Sequence, residues 1–221
     1  RAAFHLARDL FGGTNLHLML PFVPPLADAR SMKRYLSAVH KLASGVDGLK
    51  IIQMSELPRN AILAKEFIKE FDGFSLGSND MTQMVLATDR DNASLQPIYD
   101  EEDPAVVWAI LFTVFTGLTY GKKVGFCGQG VSNSLILRGL VASAGISSAS
   151  VVPDTYFQTK LDVHALEAQD IPTSKLGGWL KEQHLANFHK LMEKEGYGHI
   201  AKKYTKPEEL MEWYEGELVR L

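Results

Sequence analysis

Hydrophobic and polar positions alternate in blocks along this chain, and the blocks switch regularly between two periods. Leu16-His17-Leu18-Met19-Leu20-Pro21-Phe22 is a short apolar run that predicts a buried strand. Ala29, Met32, Leu36, Val39 and Leu42 then recur at helical spacing. Leu49–Met54 predicts a second strand, Pro58 and Asn60 open a short helix carrying Ile62, Leu63 and Phe67, and Asp72–Leu76 predicts a third strand ending at Gly77. Gly77-Ser78-Asn79-Asp80 then reads as an acidic turn. Asp103-Pro104 predicts a helix start, with the carboxylate as cap and proline at the first helical position. That helix runs to about Tyr120, where Gly121 stops it; Lys123–Cys127 follows as a fourth strand, Leu135–Ser143 as a helix and Ser147–Val152 as a fifth strand.

Strands that are apolar throughout, each followed by a helix, predict a parallel sheet covered on both faces, wound either doubly or as a barrel. Beyond about Lys160 the strand signal ends. Ser174–Lys194 and a stretch beginning at Thr205-Lys206-Pro207-Glu208, a capping-box pattern, predict packing helices. The expected organisation is an α/β domain over 1–160 and a helical extension over 161–221. A helix is also expected over Arg1–Leu10, which makes the chain read as a piece of something longer.

Composition narrows the function. With 46% hydrophobic and 22% charged residues the chain reads as globular, and its net charge of −3 gives no footprint for nucleic acid. The run from Ala105 to Tyr120 is shorter than the roughly 20 residues of a membrane span, so a buried helix is expected, with a homodimer interface as a use for surplus apolar surface. A lone cysteine forms no internal disulfide, which suits a reducing cytoplasm.

The candidate chemistry lies at the C-terminal ends of the predicted strands, where barrels and open α/β sheets both place their sites. Glu56 follows the second strand, Asp80 the third and Cys127 the fourth. Two carboxylates over one mouth suit Mg²⁺, which keeps several waters and takes one or two protein ligands. Gly77-Ser78-Asn79 lets backbone N–H groups approach an anion, and Arg90 offers a planar fork to carboxylate or phosphate. Cys127, in Val124-Gly125-Phe126-Cys127-Gly128-Gln129-Gly130, is on its own either a buried structural thiol or an acid or nucleophile on a turn. The seven histidines are scattered, and neither a zinc spacing, a P-loop nor a dinucleotide fingerprint is present.

Phe71-Asp72-Gly73-Phe74-Ser75-Leu76-Gly77-Ser78-Asn79-Asp80-Met81-Thr82-Gln83, then Asp89-Arg90-Asp91, then Gly125-Phe126-Cys127-Gly128-Gln129-Gly130, resembles the C-terminal domain of the phosphoenolpyruvate synthases. Pro21-Phe22-Val23, Ser55-Glu56-Leu57-Pro58-Arg59-Asn60-Ala61 and Pro153-Asp154-Thr155 fit the same pattern, over about residues 16–160. The wider group includes pyruvate phosphate dikinase and enzyme I of the sugar phosphotransferase system. The resemblance implies the last five or so strands of a (β/α)8 barrel that binds phosphoenolpyruvate or pyruvate with Mg²⁺. Glu56 and Asp80 would be the metal ligands. Ser78, Asn79, Asp80 and Arg90 would contact substrate, Gly128 and Gln129 would shape the turn, and Cys127 would exchange a proton with the methyl carbon of pyruvate. Phosphohistidine and ATP-binding domains of a longer protein would be its partners, and nothing in this chain resembles them. Val131 and Asn133 depart from the proline and acid usual after the glutamine motif, and Pro24-Pro25 stands where an arginine is common. A dikinase, an enzyme I or a non-catalytic module of the same fold are the alternatives.

Overall fold

A computed structural model describes residues 4, 7, 8, 12–45, 48–168, 202, 205 and 206. The helices expected over Arg1–Leu10, Ser174–Lys194 and from Thr205 onward lie almost wholly outside the described residues. The chain divides into compact units Arg1–Gln169 and Asp170–Leu221, and the architecture below is that of the first.

Five parallel strands pair strictly in sequence order: β1 (Leu18–Leu20), β2 (Ile51–Ser55), β3 (Gly73–Leu76), β4 (Lys123–Phe126) and β5 (Ser148–Ala149). A doubly wound sheet reverses direction at a switch point, and these five strands have none. Crossovers of one hand that always step the same way leave their helices on the same face. Along that face the register aligns Gln53, Phe74 and Val124 in one row, and Ser55, Leu76 and Phe126 in the next, all buried.

The connecting helices are α1 (Leu26–His40), α2 (Pro58–Ile62), α3 (Ala64–Glu70), α4 (Ser78–Leu86), α5 (Pro104–Thr119), α6 (Gly130–Asn133), α7 (Leu135–Ser143) and α8 (Tyr156–Ala168). α5 begins as expected: Asp103 accepts the N–H of Ala105 at 2.8 Å and Pro104 follows as the first helical residue. It packs tightly on the sheet, because a Cβ at Gly117 would overlap the Val124 side chain and lie 3.4 Å from Phe74. Val106, Ile110 and Val114 are fully buried along it, which accounts for its apolar character. None of the described helices is long and apolar enough to cross a membrane.

Four features differ from these expectations. The acidic turn at 78–80 is the first turn of α4. The helix after Pro58 is two helices, broken at Leu63. α8 occupies a stretch for which no individual helix was expected, and β1 and β5 are shorter than their apolar runs.

Candidate active site

Ser55, Leu76 and Phe126 form the last buried row across β2, β3 and β4. Side chains alternate along a strand, so the next residues, Glu56, Gly77 and Cys127, turn to the opposite face. The pairing reaches that far: the N–H of Gly77 donates to Ser55 O at 3.1 Å and the N–H of Cys127 to Leu76 O at 2.7 Å. Gly77 separates the carboxylate from the thiol. A Cβ there would lie 3.0 Å from Glu56 Cβ and 3.3 Å from its Oε2, so the missing side chain is the space the carboxylate occupies.

Glu56 is only 1% exposed. The backbone N–H of Phe22 donates to its Oε1, and Phe22 holds a left-handed φ of 45° to do so. Such a conformation costs a non-glycine residue about 1–3 kcal/mol and tends to persist at functional sites. Asn60 fixes the backbone behind Glu56 by accepting from the N–H of Leu57 at 3.1 Å and of Glu56 at 3.4 Å. Burial pushes the Glu56 carboxyl above its ordinary range, the Phe22 N–H opposes this, and the charge of Asp80 adds to it. The Cys127 thiol is half-buried. It is likewise pushed up by burial, eased by a hydrogen bond from Ser75, and raised further by the charges of Glu56 and Asp80. Glu56, Asp80 and Cys127 are thus within electrostatic reach of one another.

The turns after β3 and β4 interlock. Ser78 is fully buried; its hydroxyl donates to Glu101 Oε1 at 2.7 Å and accepts the N–H of Gly130 at 3.3 Å. Asn79 Oδ1 accepts the N–H of Gln129 at 2.8 Å. Gly128 lies so close to Ser78 that a Cβ would overlap the hydroxyl and stand 2.7 Å from the backbone nitrogen. Only glycine fits between these turns.

Beside this junction opens a cleft of about 640 Å³, lined by Asn79, Arg90, Tyr99, Glu101 and Gln129 among others. Tyr99 donates its hydroxyl to Asn79 O at 3.1 Å, and Gln96 Nε2 donates to Arg90 O. The expected residues therefore fall into two groups. Glu56, Asp80 and Cys127 converge over the strand ends, Asn79, Arg90 and Gln129 line the adjoining cleft, and Ser78 and Gly128 are packed between them. Phe22, Ser75, Tyr99 and Glu101 belong to the same region and carried no signal as separate residues in the sequence.

The donor set discriminates among metals. No cluster of three or more His, Cys, Asp or Glu able to hold an ion exists among the described residues. Zinc-like sites need at least three such ligands. A pair of carboxylates, of which Glu56 is buried and pushed up further by the charge of Asp80, instead fits a hard cation that keeps several waters, as Mg²⁺ does.

Residues 1–168 match the PEP-binding domain of the PEP-utilising enzymes. Curated relatives are similar over most of the chain. The phosphoenolpyruvate synthase of Neisseria meningitidis is 41% identical over 159 residues, covering 72% of this chain and 20% of the relative. That of Escherichia coli is 41% identical over 160 residues, with the same coverages. That of Deinococcus radiodurans is 39% identical over 166 residues, covering 75% of this chain and 21% of the relative. The chain thus spans about a fifth of the length of the curated relatives it matches.

Proposed function

This chain belongs to the PEP-utilising enzymes, by way of their PEP-binding domain, and on that premise we propose that it is the phosphoenolpyruvate/pyruvate site of a phosphoenolpyruvate synthase-type phosphotransferase, built as part of a (β/α)8 barrel. The observation that carries the proposal is the convergence of Glu56, Asp80 and Cys127 at the ends of adjacent parallel strands, with the thiol sensing both carboxylates. Sequential strand order supports the barrel, since each strand adds beside the last as barrel closure requires.

Each residue has its own role in this reading. Glu56 and Asp80 would hold Mg²⁺, which when bound supplies positive charge beside the oxygens on which negative charge develops. Arg90 and Asn79, from the cleft, bind the phosphoryl and carboxylate groups; the side-chain oxygen of Asn79 is engaged by Gln129, which leaves its amide nitrogen as the donor. Cys127 Sγ moves the proton. Towards phosphoenolpyruvate, the thiolate takes a methyl proton from pyruvate, the resulting enolate oxygen attacks the phosphorus of a phosphohistidine, and the P–N bond breaks. In reverse, the thiol returns its proton to the enolate carbon. The raised Cys127 pKa keeps the acid form in place at neutral pH, which favours the return step. The phosphohistidine and ATP-binding domains of the longer protein, and a cytoplasmic setting, are parts of the same proposal.

The test is hydrogen-isotope exchange into the methyl group of pyruvate by the full-length protein with Mg²⁺. Wild type exchanges and Cys127→Ala does not. Equal exchange in the two would sink the proton-transfer role, and absence of exchange from wild type would sink the assignment itself.

A further inference from the structure

The loop before α5 contributes two consecutive carboxylates that grip the two ends of α6, the short helix entered directly from the Cys127 turn. Glu101 Oε1 accepts the Ser78 hydroxyl at 2.7 Å, and the same hydroxyl accepts the N–H of Gly130 at the start of α6. Glu102 Oε1 accepts the hydroxyl of Ser134, just past its end, at 2.6 Å, and Ser134 in turn caps α7 through the N–H of Leu137 at 2.8 Å. Glu101 also lies beside the turn, since a Cβ on Gly130 would stand 3.2 Å from its Oε1. The Ser78 hydroxyl has one proton, and Glu101 takes it. The hydroxyl oxygen is thereby oriented to accept from Gly130, and losing the acceptor at position 101 would turn the proton towards Asn79 Oδ1 instead. Among the other expected site residues only Asn79 reaches this hydroxyl, its Oδ1 standing 3.4 Å away against 2.7 Å for Glu101, so Glu101 is the nearer acceptor.

We propose that Glu101 is a positioning residue for Cys127: acting through Ser78, it fixes the 128–130 turn and hence the place from which the thiol is presented. The proposal rests on the reading of Cys127 given above. Burial raises the Glu101 carboxyl above its ordinary range, as expected of a group packed against a turn instead of solvated. Glu101 does not touch the reacting carbon; it acts by geometry alone. An amide oxygen at the same reach serves equally well, whereas a shortened carboxylate does not.

Full-length wild type, Glu101→Gln, Glu101→Asp and Glu101→Ala proteins would be compared by methyl exchange and by the rate at which iodoacetamide alkylates Cys127, followed by mass spectrometry of its peptide. In Glu101→Asp and Glu101→Ala the exchange kcat falls about 10- to 100-fold, the loss typical of a small misplacement of a reacting group. The pyruvate KM holds, and Cys127 alkylates faster. Glu101→Gln behaves as wild type in both assays. If Glu101→Ala does not fold, Glu101→Asp carries the comparison. Unchanged exchange and alkylation in a folded Glu101→Asp protein overturns the proposal, and so does a Glu101→Gln protein as impaired as Glu101→Asp. Absence of exchange from wild type rejects the enzyme reading, and alkylation alone then decides: a faster rate in Glu101→Asp supports the positioning role and an equal rate overturns it.

Discussion

The side-chain oxygen of Asn79 accepts the backbone N–H of Gln129 at 2.8 Å, fifty residues away in sequence. The bond ties the first turn of α4 to the turn that carries Cys127. Asn79→Ala removes the acceptor and leaves the exposed N–H of the turn to water. The expected loss is about 0.5–1.5 kcal/mol of stability, read from denaturant unfolding. Asn79→Asp keeps the acceptor and should lose less.

Gly128 and Gly121 make a matched pair for testing close packing. Gly128→Ala forces a Cβ into the Ser78 hydroxyl and backbone, so an overpacking cost of about 1–3 kcal/mol falls on the junction of the two turns. Gly121 has φ +65° with nothing within 4 Å of a Cβ, so Gly121→Ala costs only about 1–2 kcal/mol of backbone strain. Both variants lose stability, but only Gly128→Ala should also lose methyl exchange.

The thiol of Cys127 has a definite pH signature. Burial and the Glu56 and Asp80 charges hold its folded value above the ordinary one. Its contribution to stability is therefore complete below the unfolded thiol value, about 8.5, and is lost as pH rises through the higher folded value. Cys127→Ala should flatten the alkaline side of a stability–pH curve. Asp80→Asn removes one raising charge, so Cys127 should alkylate faster than wild type at any given pH below that range. An unchanged rate would separate Asp80 from the thiol.

Glu101 follows the same sign from a lower starting point. Its folded value is raised by burial, with Asp100 adding to it and the Ser78 hydrogen bond opposing. Stability from this group is complete below the unfolded carboxylate value, about 4.3, and declines as pH rises through the folded value. Unfolding followed across that window should show less pH dependence in Glu101→Gln than in wild type.

Arg138 anchors the far side of the Cys127 turn. It is 6% exposed, donates to Val131 O at 2.8 Å and Ser132 O at 3.0 Å, and pairs with Asp162 of α8. Arg138→Ala leaves two carbonyls and a carboxylate short of partners and should cost about 3 kcal/mol. Asp162→Asn leaves the carbonyl bonds in place and should cost less, by the same unfolding measurement.

Much of the parallel α/β framework was legible because buried strands and amphipathic helices write different periods into a sequence. α4 was not, because Gly77, Ser78, Asn79 and Asp80 are turn formers that are equally at home in a helix N-terminus, and only six residues follow them in the helix. α8 was missed because its apolar residues do not mark a buried face: Phe157 and Leu161, one turn apart, are exposed. Within the site, Glu56 and Cys127 announced themselves by ending strands, and Asp80 by following one closely. Glu101 and Ser75 did not, since each acquires meaning only from a distant partner. For Glu101 that partner is Ser78, 23 residues away, and for Ser75 it is Cys127, one strand over.

The strictly sequential strand order has a last consequence for how such a site can change. Glu56, Asp80 and Cys127 each sit on a separate connection between a strand and its helix, and each connection borders only its neighbours. A substitution or insertion in one connection alters one position on the rim and leaves the sheet beneath it in register. Ser78, Asn79, Gly128, Gln129 and Gly130 are among the exceptions: there two connections have been welded together, and the chain gives up that independence.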